Sequence, residues 1–344
     1  MSTHILKMII CVCIWISIGC VQGCRPKSDV EVIVYCAADR EFAKPILAGF
    51  ERRQGGAHVV AQYDIESTKT VGLANRILAE ANRPRCDVFW NNEILHTLRL
   101  ERSGLLKPVN WDVPSDWPSS MRSSSNCWIG IGARARVLIV NRDLLPASTD
   151  RPKSVMDLAD PKWKGKCGFA TPLFGTTATH FTVLYNQLGK EVAKPFLIAL
   201  RENGVMMAGN KQVAQSVASG SIAFGLTDTD DALLEMDAGL PVDIIFPDQG
   251  ETQMGTMLIP NTVSVLDGGP HPQSAIQLAN YLCSEETESR LAMGASGQFP
   301  VRPNHPTKSR LQQSALKWLD ADFYRAADSW EDVSQELQNI FGNR

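Results

Sequence analysis

Apolar residues recur along this chain in two patterns: short β-branched runs, and longer segments in which they return every three or four positions. Residues 31–35 form one such run, and residues 41–53 follow it with apolar side chains at helical spacing. Further strands are predicted over 58–63, 86–90, 128–140, 167–170, 222–226 and 255–259. Further helices are predicted over 70–81, 176–188, 190–203, 211–219, 272–283, 285–293 and 309–341.

The alternation of strands and helices predicts an α/β fold. Repeated strand–helix–strand units place parallel strands in one sheet with helices on its faces. Ligands of such sheets bind beyond the carboxyl ends of the strands. The loops after Tyr35, Tyr63 and Trp90 are therefore the first candidates for a binding site.

The first residues differ in composition from the rest of the chain. Lys7 precedes an apolar run that ends near Ile18 and leads into small residues, which is typical of an export signal and short for a membrane span. We expect a signal peptide over 1–23. Cys24, after Val-Gln-Gly, resembles the lipidated cysteine of a bacterial lipobox, and Cys20 is the alternative. The sequence thus predicts an exported, periplasmic lipoprotein, tethered to a membrane through its lipid anchor.

The composition narrows the class of partner. With 344 residues the chain is long enough for two domains, and 34 Lys and Arg against 37 Asp and Glu leave no basic field for nucleic acid. Five cysteines after the signal segment are scattered singly, without a C-x-x-C pair, so buried thiols are expected rather than a zinc cluster. They are Cys36, Cys86, Cys127, Cys167 and Cys283.

Five segments occur in an order that resembles a known family. They are Asp87-Val-Phe-Trp-Asn-Asn-Glu93, Trp128-Ile-Gly-Ile-Gly-Ala-Arg-Ala-Arg-Val137, Lys153-Ser-Val-Met-Asp-Leu-Ala-Asp-Pro-Lys-Trp-Lys-Gly-Lys166, Gln212-Val-Ala-Gln-Ser-Val-Ala-Ser-Gly220 and Phe246-Pro-Asp-Gln249. Through them the chain, to about Pro303, resembles the ferric-ion-binding proteins of bacterial ABC importers. The resemblance implies a two-lobed periplasmic-binding-protein fold of type II. Each lobe would be a mostly parallel sheet flanked by helices, with the ligand cleft between the lobes.

The same resemblance implies a division of the chain. Lobe 1 is expected over 29–133 and, as a return segment, over 253–305. Lobe 2 is expected over 134–252, and a helical C-terminal tail over 306–344. The crossovers between lobes are expected near 131–136 and 249–256, where closure about them would bury the ligand.

The resemblance also implies a ligand site, from which this sequence departs. The family holds iron through a histidine, a glutamate and two adjacent tyrosines. The matching positions here are Asp39, then Asn92 with Glu93 beside it, and Thr229-Asp230. None of the five tyrosines is adjacent to another. The phenolate ligands are therefore absent, and carboxylates stand in their place.

A cluster of carboxylates is the first candidate for binding chemistry. Asp228, Asp230 and Asp231 follow a predicted strand in a loop that opens a helix, and with Asp39 and Glu93 they predict an acidic pocket. Hard carboxylate oxygens suit Fe³⁺, Ca²⁺, Mg²⁺ or Mn²⁺, and they suit ammonium groups equally. For any single aspartate, capping of the next helix is the competing interpretation. The predicted metal ligands are Asp39, Glu93, Asp228 and Asp230.

An anion site is the second candidate. Members of the family often bind a helper anion at a helix start and a nearby asparagine, and the matching positions are Gly175, Thr176, Thr177 and Asn210. The arginines of the predicted strand 128–140 could add charge-assisted bonds to a phosphate, carbonate or carboxylate. Ordinary N-capping is the competing interpretation for the threonines. The candidate ligand-binding residues are therefore Asp39, Trp90, Asn92, Glu93, Arg134, Gly175, Thr176, Thr177, Asn210, Thr227, Asp228, Thr229 and Asp230.

Three large side chains allow a structural interpretation as well. Trp90, at the end of a strand, could form an aromatic wall for a cationic ligand or pack in the core. His96 and His180 lie in helical patterns beside apolar residues, and we expect them to be structural.

The resemblance implies a transport receptor that captures a ligand outside the cytoplasmic membrane and passes it to a permease. The sequence has no P-loop motif, so the ATPase would be a separate chain. The family's default cargo is Fe³⁺, with phosphate or carbonate as helper anion; a polyamine or an aminophosphonate is the alternative, and no cofactor is required. A monomer is expected. A sensor domain and a metal-assisted hydrolase are the interpretations from other classes, and for the hydrolase the sequence has no supporting motif.

Overall fold

The computed structural model describes residues 30–53, 55–64, 71–312 and 315–342. The predicted signal segment 1–23 and the candidate lipidation sites Cys20 and Cys24 lie outside the described residues. The strands described are β1 (Glu31–Cys36), β2 (His58–Tyr63), β3 (Val88–Asn91), β4 (Leu106–Lys107), β5 (Trp128–Asn141), β6 (Cys167–Ala170), β7 (Val205–Met207), β8 (Phe224–Asp228), β9 (Val242–Ile245) and β10 (Leu258–Leu266). The α-helices described are α1 (Arg40–Glu51), α2 (Val71–Ala79), α3 (Leu95–Arg102), α4 (Gly175–Leu188), α5 (Lys190–Asn203), α6 (Asn210–Ala218), α7 (Thr229–Asp237), α8 (Pro272–Leu282), α9 (Glu285–Met293), α10 (Phe323–Asp328) and α11 (Trp330–Phe341).

One long strand, β5, is shared by two sets of strands. Its 14 residues are buried throughout. Up to Ala135 it pairs antiparallel with β10, and from Arg136 onward it pairs antiparallel with β8 and β9. The change of partners between Ala135 and Arg136 carries the chain from one half of the molecule to the other. The domain limits at 133 and 252 stay predictions.

Each half is an α/β layer with a parallel centre. Lobe 1 has the strand order β2-β1-β3-β10-β5, with β4 on β10, and lobe 2 has the order β5-β8-β6-β7, with β9 on β5. The pairs of β1 with β2 and β3, and of β6 with β7 and β8, are parallel, as strand–helix–strand connections require. β5 and β10 add antiparallel neighbours, which the sequence pattern did not predict. We call α1–α3, α8 and α9 the helices of lobe 1, and α4–α7 those of lobe 2.

The chain crosses back to lobe 1 between β9 and β10. Asp248 lies in this stretch with a φ of 62° and is buried. Its N–H donates to the Lys153 carbonyl at 2.8 Å, and its carboxylate accepts hydrogen bonds from the Ser154 hydroxyl and the Val155 N–H. The second crossing is therefore attached to lobe 2 at its start.

The prediction of a helix over 309–341 is wrong for its first part, since the first tail helix begins at Phe323, capped by Asp322. The backbone of Lys317 and Leu319 instead hydrogen-bonds to Thr256 at 2.9 Å in both cases, which uses groups that a helix would need. α10 then packs against α3 and α4, and α11 against α4 and α5. The tail therefore contacts both lobes.

The core follows the two layers. Buried apolar side chains form clusters on both faces of each sheet, and each large side chain buried there contributes about 1.5–3 kcal/mol to folding. The five predicted buried cysteines are all buried. Burial raises the pKa of the Cys86 and Cys283 thiols well above the usual range and that of Cys167 to about 12. Among the described residues, none of the helices has the length and apolar character needed to cross a bilayer.

Candidate binding site

A cavity opens at the carboxyl ends of β3, β6, β7 and β8, where an α/β sheet is expected to bind its ligand. It encloses about 370 Å³, counting space open to solvent. Lobe 1 contributes Asn92, and lobe 2 contributes the rest of the wall. The lining residues are Asn92, Ala170, Thr171, Phe174, Gly175, Thr176, Thr177, Ala208, Gly209, Asn210, Asp228 and Asp231.

Two helices begin at this cavity. α4 starts at Gly175, whose φ of 56° suits glycine, and Thr176 and Thr177 in its first turn are buried. α6 starts at Asn210, directly after Gly209. The N–H groups of a first helical turn have no partner within the helix, and the helix dipole is positive at that end. Two such ends favour an anion in the cavity.

Arg136 and Asp228 form a buried ion pair at the base of the cavity. The antiparallel register of β5 and β8 sets them opposite each other, and Nη1 lies 2.7 Å from Oδ1. Burial alone raises the pKa of the Asp228 carboxyl, but the guanidinium of Arg136 beside it, with that of Arg134, outweighs burial and lowers the pKa. Asp228 is therefore ionised at neutral pH.

Hydroxyl and amide groups complete the surroundings of this carboxylate. Asp228 Oδ2 accepts hydrogen bonds from Thr176 Oγ1 at 2.6 Å and from Asn210 Nδ2 at 3.0 Å. Arg136 donates to the hydroxyls of Thr176 and Thr177, each at 3.2 Å. Thr177 Oγ1 in turn donates to Asn210 Oδ1 at 3.1 Å. The network holds the start of α4 against the start of α6.

Arg134 compensates a second carboxylate. Its Nη1 lies 3.3 Å from Asp230 Oδ2 and 4.0 Å from Asp228 Oδ2, and its Nη2 donates to the backbone carbonyl of Asn92 in lobe 1. Burial alone lowers the pKa of Arg134, but the carboxylates of Asp230 and Asp228, with a smaller effect of Asp39, raise it overall. Two buried arginines thus face two buried aspartates, which is the arrangement that interior charges require.

The structure brings part of the predicted metal set together. Asp228, Asp230 and Asp231 each offer a carboxylate oxygen, and these oxygens lie within 4.8 Å of one another. Asp231 is half-buried and lines the cavity. Asp39, half-buried at the start of α1 in lobe 1, is close enough to affect Arg134. A cation here would share Asp228 and Asp230 with the arginines.

Glu93 does not reach this cluster, contrary to the prediction that it is a metal ligand. It is fully buried, and its Oε1 accepts hydrogen bonds from Asn91 Nδ2 at 2.9 Å and the His96 N–H at 3.0 Å. Its Oε2 accepts from the Leu95 N–H at 2.5 Å and Thr179 Oγ1 at 2.7 Å. The carboxylate therefore caps α3 and contacts α4, and each of its two oxygens already accepts two hydrogen bonds.

Three other predicted ligand residues do not line the cavity and contact the elements around it instead. Trp90 is fully buried in the apolar core of lobe 1, so it is not an aromatic wall of the cavity. Thr227 Oγ1 donates to the Asn210 carbonyl at 3.0 Å, and Thr229 Oγ1 accepts from the Ala135 N–H at 3.2 Å. The first hydroxyl attaches α6 to β8, and the second attaches β5 to the start of α7.

His96 and His180 are buried near the site, but neither lines the cavity. Burial lowers the pKa of His96 to about 4 and that of His180 to about 3. Both imidazoles are therefore neutral at physiological pH.

Five lining residues escaped the sequence interpretation. Ala170 and Thr171 end a strand that was predicted, and Phe174 directly precedes the predicted anion-binding helix. Ala208 and Gly209 follow β7, a strand of three residues that shows no pattern strong enough to predict it. The rule that ligands bind beyond strand ends would have found the first pair.

Comparison with known proteins supports a single family. The model of the family described as bacterial extracellular solute-binding protein matches residues 96–327. The major ferric iron-binding protein of Neisseria meningitidis is 27% identical over 198 residues, which are 56% of this chain and 56% of that protein. A Salmonella typhi protein provisionally named as a 2-aminoethylphosphonate-binding periplasmic protein is 24% identical over 268 residues, 77% of each chain.

The fold comparison covers more of the chain. The structure of iron-bound HitA from Pseudomonas aeruginosa superposes with a TM-score of 0.79 over 90% of this chain and 99% of that one, at 22% identity. This likeness confirms the predicted two-lobed periplasmic-binding-protein fold of type II. The aligned stretch of the Neisseria protein is little more than half of its length. The family match extends over more than half of this chain, and the chain therefore belongs to the bacterial extracellular solute-binding protein family.

Proposed function

We propose that this chain is the solute receptor of a bacterial ABC importer. It binds a small ligand outside the cytoplasmic membrane and delivers it to a permease that a separate ATPase drives. The family assignment supports a receptor rather than a hydrolase. The observation that carries the proposal is the cavity at the strand ends, to which lobe 1 contributes Asn92 and lobe 2 the starts of α4 and α6.

The cargo that we propose is Fe³⁺ bound together with a small oxyanion such as phosphate or carbonate. Fe³⁺ requires hard oxygen ligands, and the carboxylates of Asp228, Asp230 and Asp231 are grouped beside the cavity, with Asp39 across the cleft. The oxyanion would occupy the helix starts at Gly175 and Asn210 and complete the coordination of the metal. The Neisseria relative is named for ferric iron, which agrees with this choice.

A second candidate is a zwitterionic organic solute such as an aminophosphonate. It is favoured by the contacts of Arg134 and Arg136, which already neutralise two carboxylates that a ferric ion would need. The phosphonate would take the place of the oxyanion, and the ammonium group would face Asp39 and Asp231. A polyamine fits less well, because two positive helix ends line the cavity.

One titration separates the two candidates. The purified protein is freed of metal with a chelator and titrated calorimetrically with Fe³⁺-nitrilotriacetate, with and without phosphate, and with 2-aminoethylphosphonate. Binding of Fe³⁺ that is strengthened by phosphate supports the ferric cargo. Binding of 2-aminoethylphosphonate without any binding of iron overturns it in favour of the second candidate. Binding of neither ligand contradicts both.

We also propose that the receptor is a monomer held at a membrane by a lipid on Cys24. Val21 lies three positions before Cys24, where an aliphatic residue is usual, whereas Ser17 holds that position before Cys20, so Cys24 is the better match. Replacement Cys24→Ser should release the protein into the soluble periplasmic fraction, whereas Cys20→Ser should leave it in the membrane fraction. The reverse result would assign the lipid to Cys20.

A further inference from the structure

A buried hydrogen bond joins the two lobes behind the cavity. Thr179 Oγ1, on α4 of lobe 2, donates to Glu93 Oε2 of lobe 1 at 2.7 Å. Both residues are fully excluded from solvent. Because no water can replace this bond in such surroundings, its loss would leave a buried polar group without a partner.

Glu93 is a rigid anchor on the lobe 1 side. Its carboxylate is held by the backbone N–H groups of Leu95 and His96 and by the side-chain amide of Asn91. The amide of Asn91 also donates to Thr97 Oγ1 at 3.1 Å, and that hydroxyl lies 2.6 Å from Thr262 Oγ1 on β10. The position of the carboxylate is thereby tied to β3, α3 and β10 together.

Thr179 lies one helical turn beyond the start of α4. Its Oγ1 is also 3.4 Å from the carbonyl of Gly175, the residue at which the helix begins. Because a helix moves as a rigid element over one turn, a restraint on Thr179 restrains the N–H groups around Gly175 and Thr176. Ala178, next to Thr179, packs in the same apolar cluster as Leu95 of α3. Apolar packing therefore accompanies the hydrogen bond between the two lobes.

Glu93 also restrains the wall of the cavity that lobe 1 provides. Asn92 directly precedes Glu93 and is the lining residue that lobe 1 provides. Its carbonyl accepts a hydrogen bond from Arg134, which faces Asp230. The bond between Glu93 and Thr179 therefore sets how far Asn92 stands from the start of α4.

From this geometry we propose that Glu93 and Thr179 are positioning residues of the binding site, although neither touches the solute. Their hydrogen bond holds the anion-binding end of α4 at the distance from Asn92 that the oxyanion part of the solute requires. The proposal rests on the proposed function, and it gives Glu93 a role other than the metal ligand that its sequence position predicted.

The test uses two substitutions of Thr179, one that removes the hydroxyl group and one that keeps it. Thr179→Val keeps the shape and removes the bond, and Thr179→Ser retains the hydroxyl. Thr182→Val is the matched control, because Thr182 is equally buried on α4 but donates within the helix, to the Ala178 carbonyl at 2.8 Å. Calorimetric titration uses inorganic phosphate, 2-aminoethylphosphonate and Fe³⁺-nitrilotriacetate with phosphate.

We expect Thr179→Val to bind the ligand of the wild-type protein about tenfold more weakly, as loss of a buried hydrogen bond that leaves one partner unpaired predicts. Thr179→Ser and Thr182→Val should bind within about twofold of the wild type, a difference well below that of one such bond. Thr179→Val should retain the wild-type circular dichroism spectrum. Wild-type affinity in Thr179→Val, or weakened binding in Thr182→Val to the same degree, overturns the proposal.

A second readout keeps this test separate from the identity of the cargo. Spin labels at Lys44→Cys on α1 and Gln215→Cys on α6, both exposed positions, report the distance between lobes without ligand. Thr179→Val should broaden the distance distribution, and Thr179→Ser should restore it. If the wild type binds none of the three probes, the proposed cargo fails, and the distance distribution alone decides the positioning role. An unchanged distribution in Thr179→Val overturns it.

Discussion

Arg136 on β5 and Asp228 on β8 are joined twice, by the antiparallel register of their strands and by an ion pair of 2.7 Å between their side chains. Both are almost wholly buried. The backbone pairing delivers the two charges to the same point, and the guanidinium then aligns the hydroxyls of Thr176 and Thr177 at the start of α4. The base of the binding site is thus a consequence of sheet register.

Removal of one member of this pair should destabilise the protein strongly. Arg136→Met leaves the Asp228 carboxylate buried without its main partner, and breaking a buried pair in this way costs about 3–5 kcal/mol. Addition of Asp228→Asn should recover part of the loss, because it removes the uncompensated charge. Urea unfolding followed by circular dichroism measures both. A double variant less stable than Arg136→Met alone would contradict this account.

Much of this fold could be predicted from the sequence because strand and helix patterns are local. The strand at 58–63 and the helix at 190–203 agree with β2 and α5, since β-branched runs and helical spacing depend on neighbouring residues. The tail could not be predicted in this way. The segment before Phe323 pairs with Thr256, about sixty residues away, and such a contact overrides local helical propensity.

Part of the binding site could also be predicted from the sequence. Asp228 was predicted from its place beside a strand end, which is a local signal, whereas Asn210 was predicted from the family resemblance, and both line the cavity. Glu93 was misinterpreted because no start was predicted for the helical pattern around His96, so the carboxylate two residues before Leu95 was not seen as a cap. Trp90 and Phe89 point to opposite faces of β3, into separate apolar clusters, and both faces are buried. Only the packed structure reveals that the second face is also covered.

A negative charge at the start of α6 should exclude the anion. Asn210→Asp places a second carboxylate beside Asp228, whose Oδ2 now accepts from Asn210 at 3.0 Å. We expect the affinity for phosphate or 2-aminoethylphosphonate to fall at least about tenfold, because the new carboxylate at position 210 would repel the bound anion. Gln215→Glu adds the same charge on the exposed face of the same helix and serves as control. Equal losses in both variants would mean that the cavity does not bind the anion.

Loss of the carboxylate at the cavity rim should affect cation binding alone. Asp231 lines the cavity and belongs to the carboxylate cluster. If Fe³⁺ is the cargo, Asp231→Asn should weaken Fe³⁺ binding in the presence of phosphate by about tenfold or more, while phosphate alone binds at least as well. Asp237→Asn is the control. Asp237 lies on the same helix as Asp231, and its replacement removes only a surface ion pair with Arg310. Undiminished iron binding in Asp231→Asn would exclude this residue as a ligand.

The stability of the protein should fall as the pH falls below about 6.5, the ordinary pKa of histidine. Burial lowers the pKa of His96 from 6.5 to about 4 in the folded state, so between these values the unfolded chain binds a proton that the folded chain excludes. The contribution of His96 is complete above the unfolded pKa and is lost toward pH 4, with a slope of up to about 1.4 kcal/mol per pH unit.

His96→Gln removes this titration and keeps an acceptor for Arg99, whose Nη1 lies 2.9 Å from the imidazole. Urea midpoints at pH 7, 6 and 5 should therefore show a flatter pH dependence in the variant than in the wild type. Parallel curves for wild type and His96→Gln would show that His96 is protonated equally in both states.

The tail should stabilise the second crossing between lobes through one glutamine. Gln249 accepts a hydrogen bond from the Lys317 N–H at 2.8 Å and donates to the Lys317 carbonyl at 3.0 Å and to Thr256 Oγ1 at 2.9 Å. Gln249→Ala removes these three contacts and a fourth, from Nε2 to the Pro247 carbonyl at 3.2 Å. We expect the free energy of unfolding to fall by about 1–3 kcal/mol. Gln253→Ala, in the adjoining turn, loses only the contact with the Gly250 N–H and should cost less. Hydrogen exchange should localise the effect of Gln249→Ala to Thr256 and Leu319, whose backbone bonds form the bridge to the tail, and unchanged protection there would contradict a bracing role.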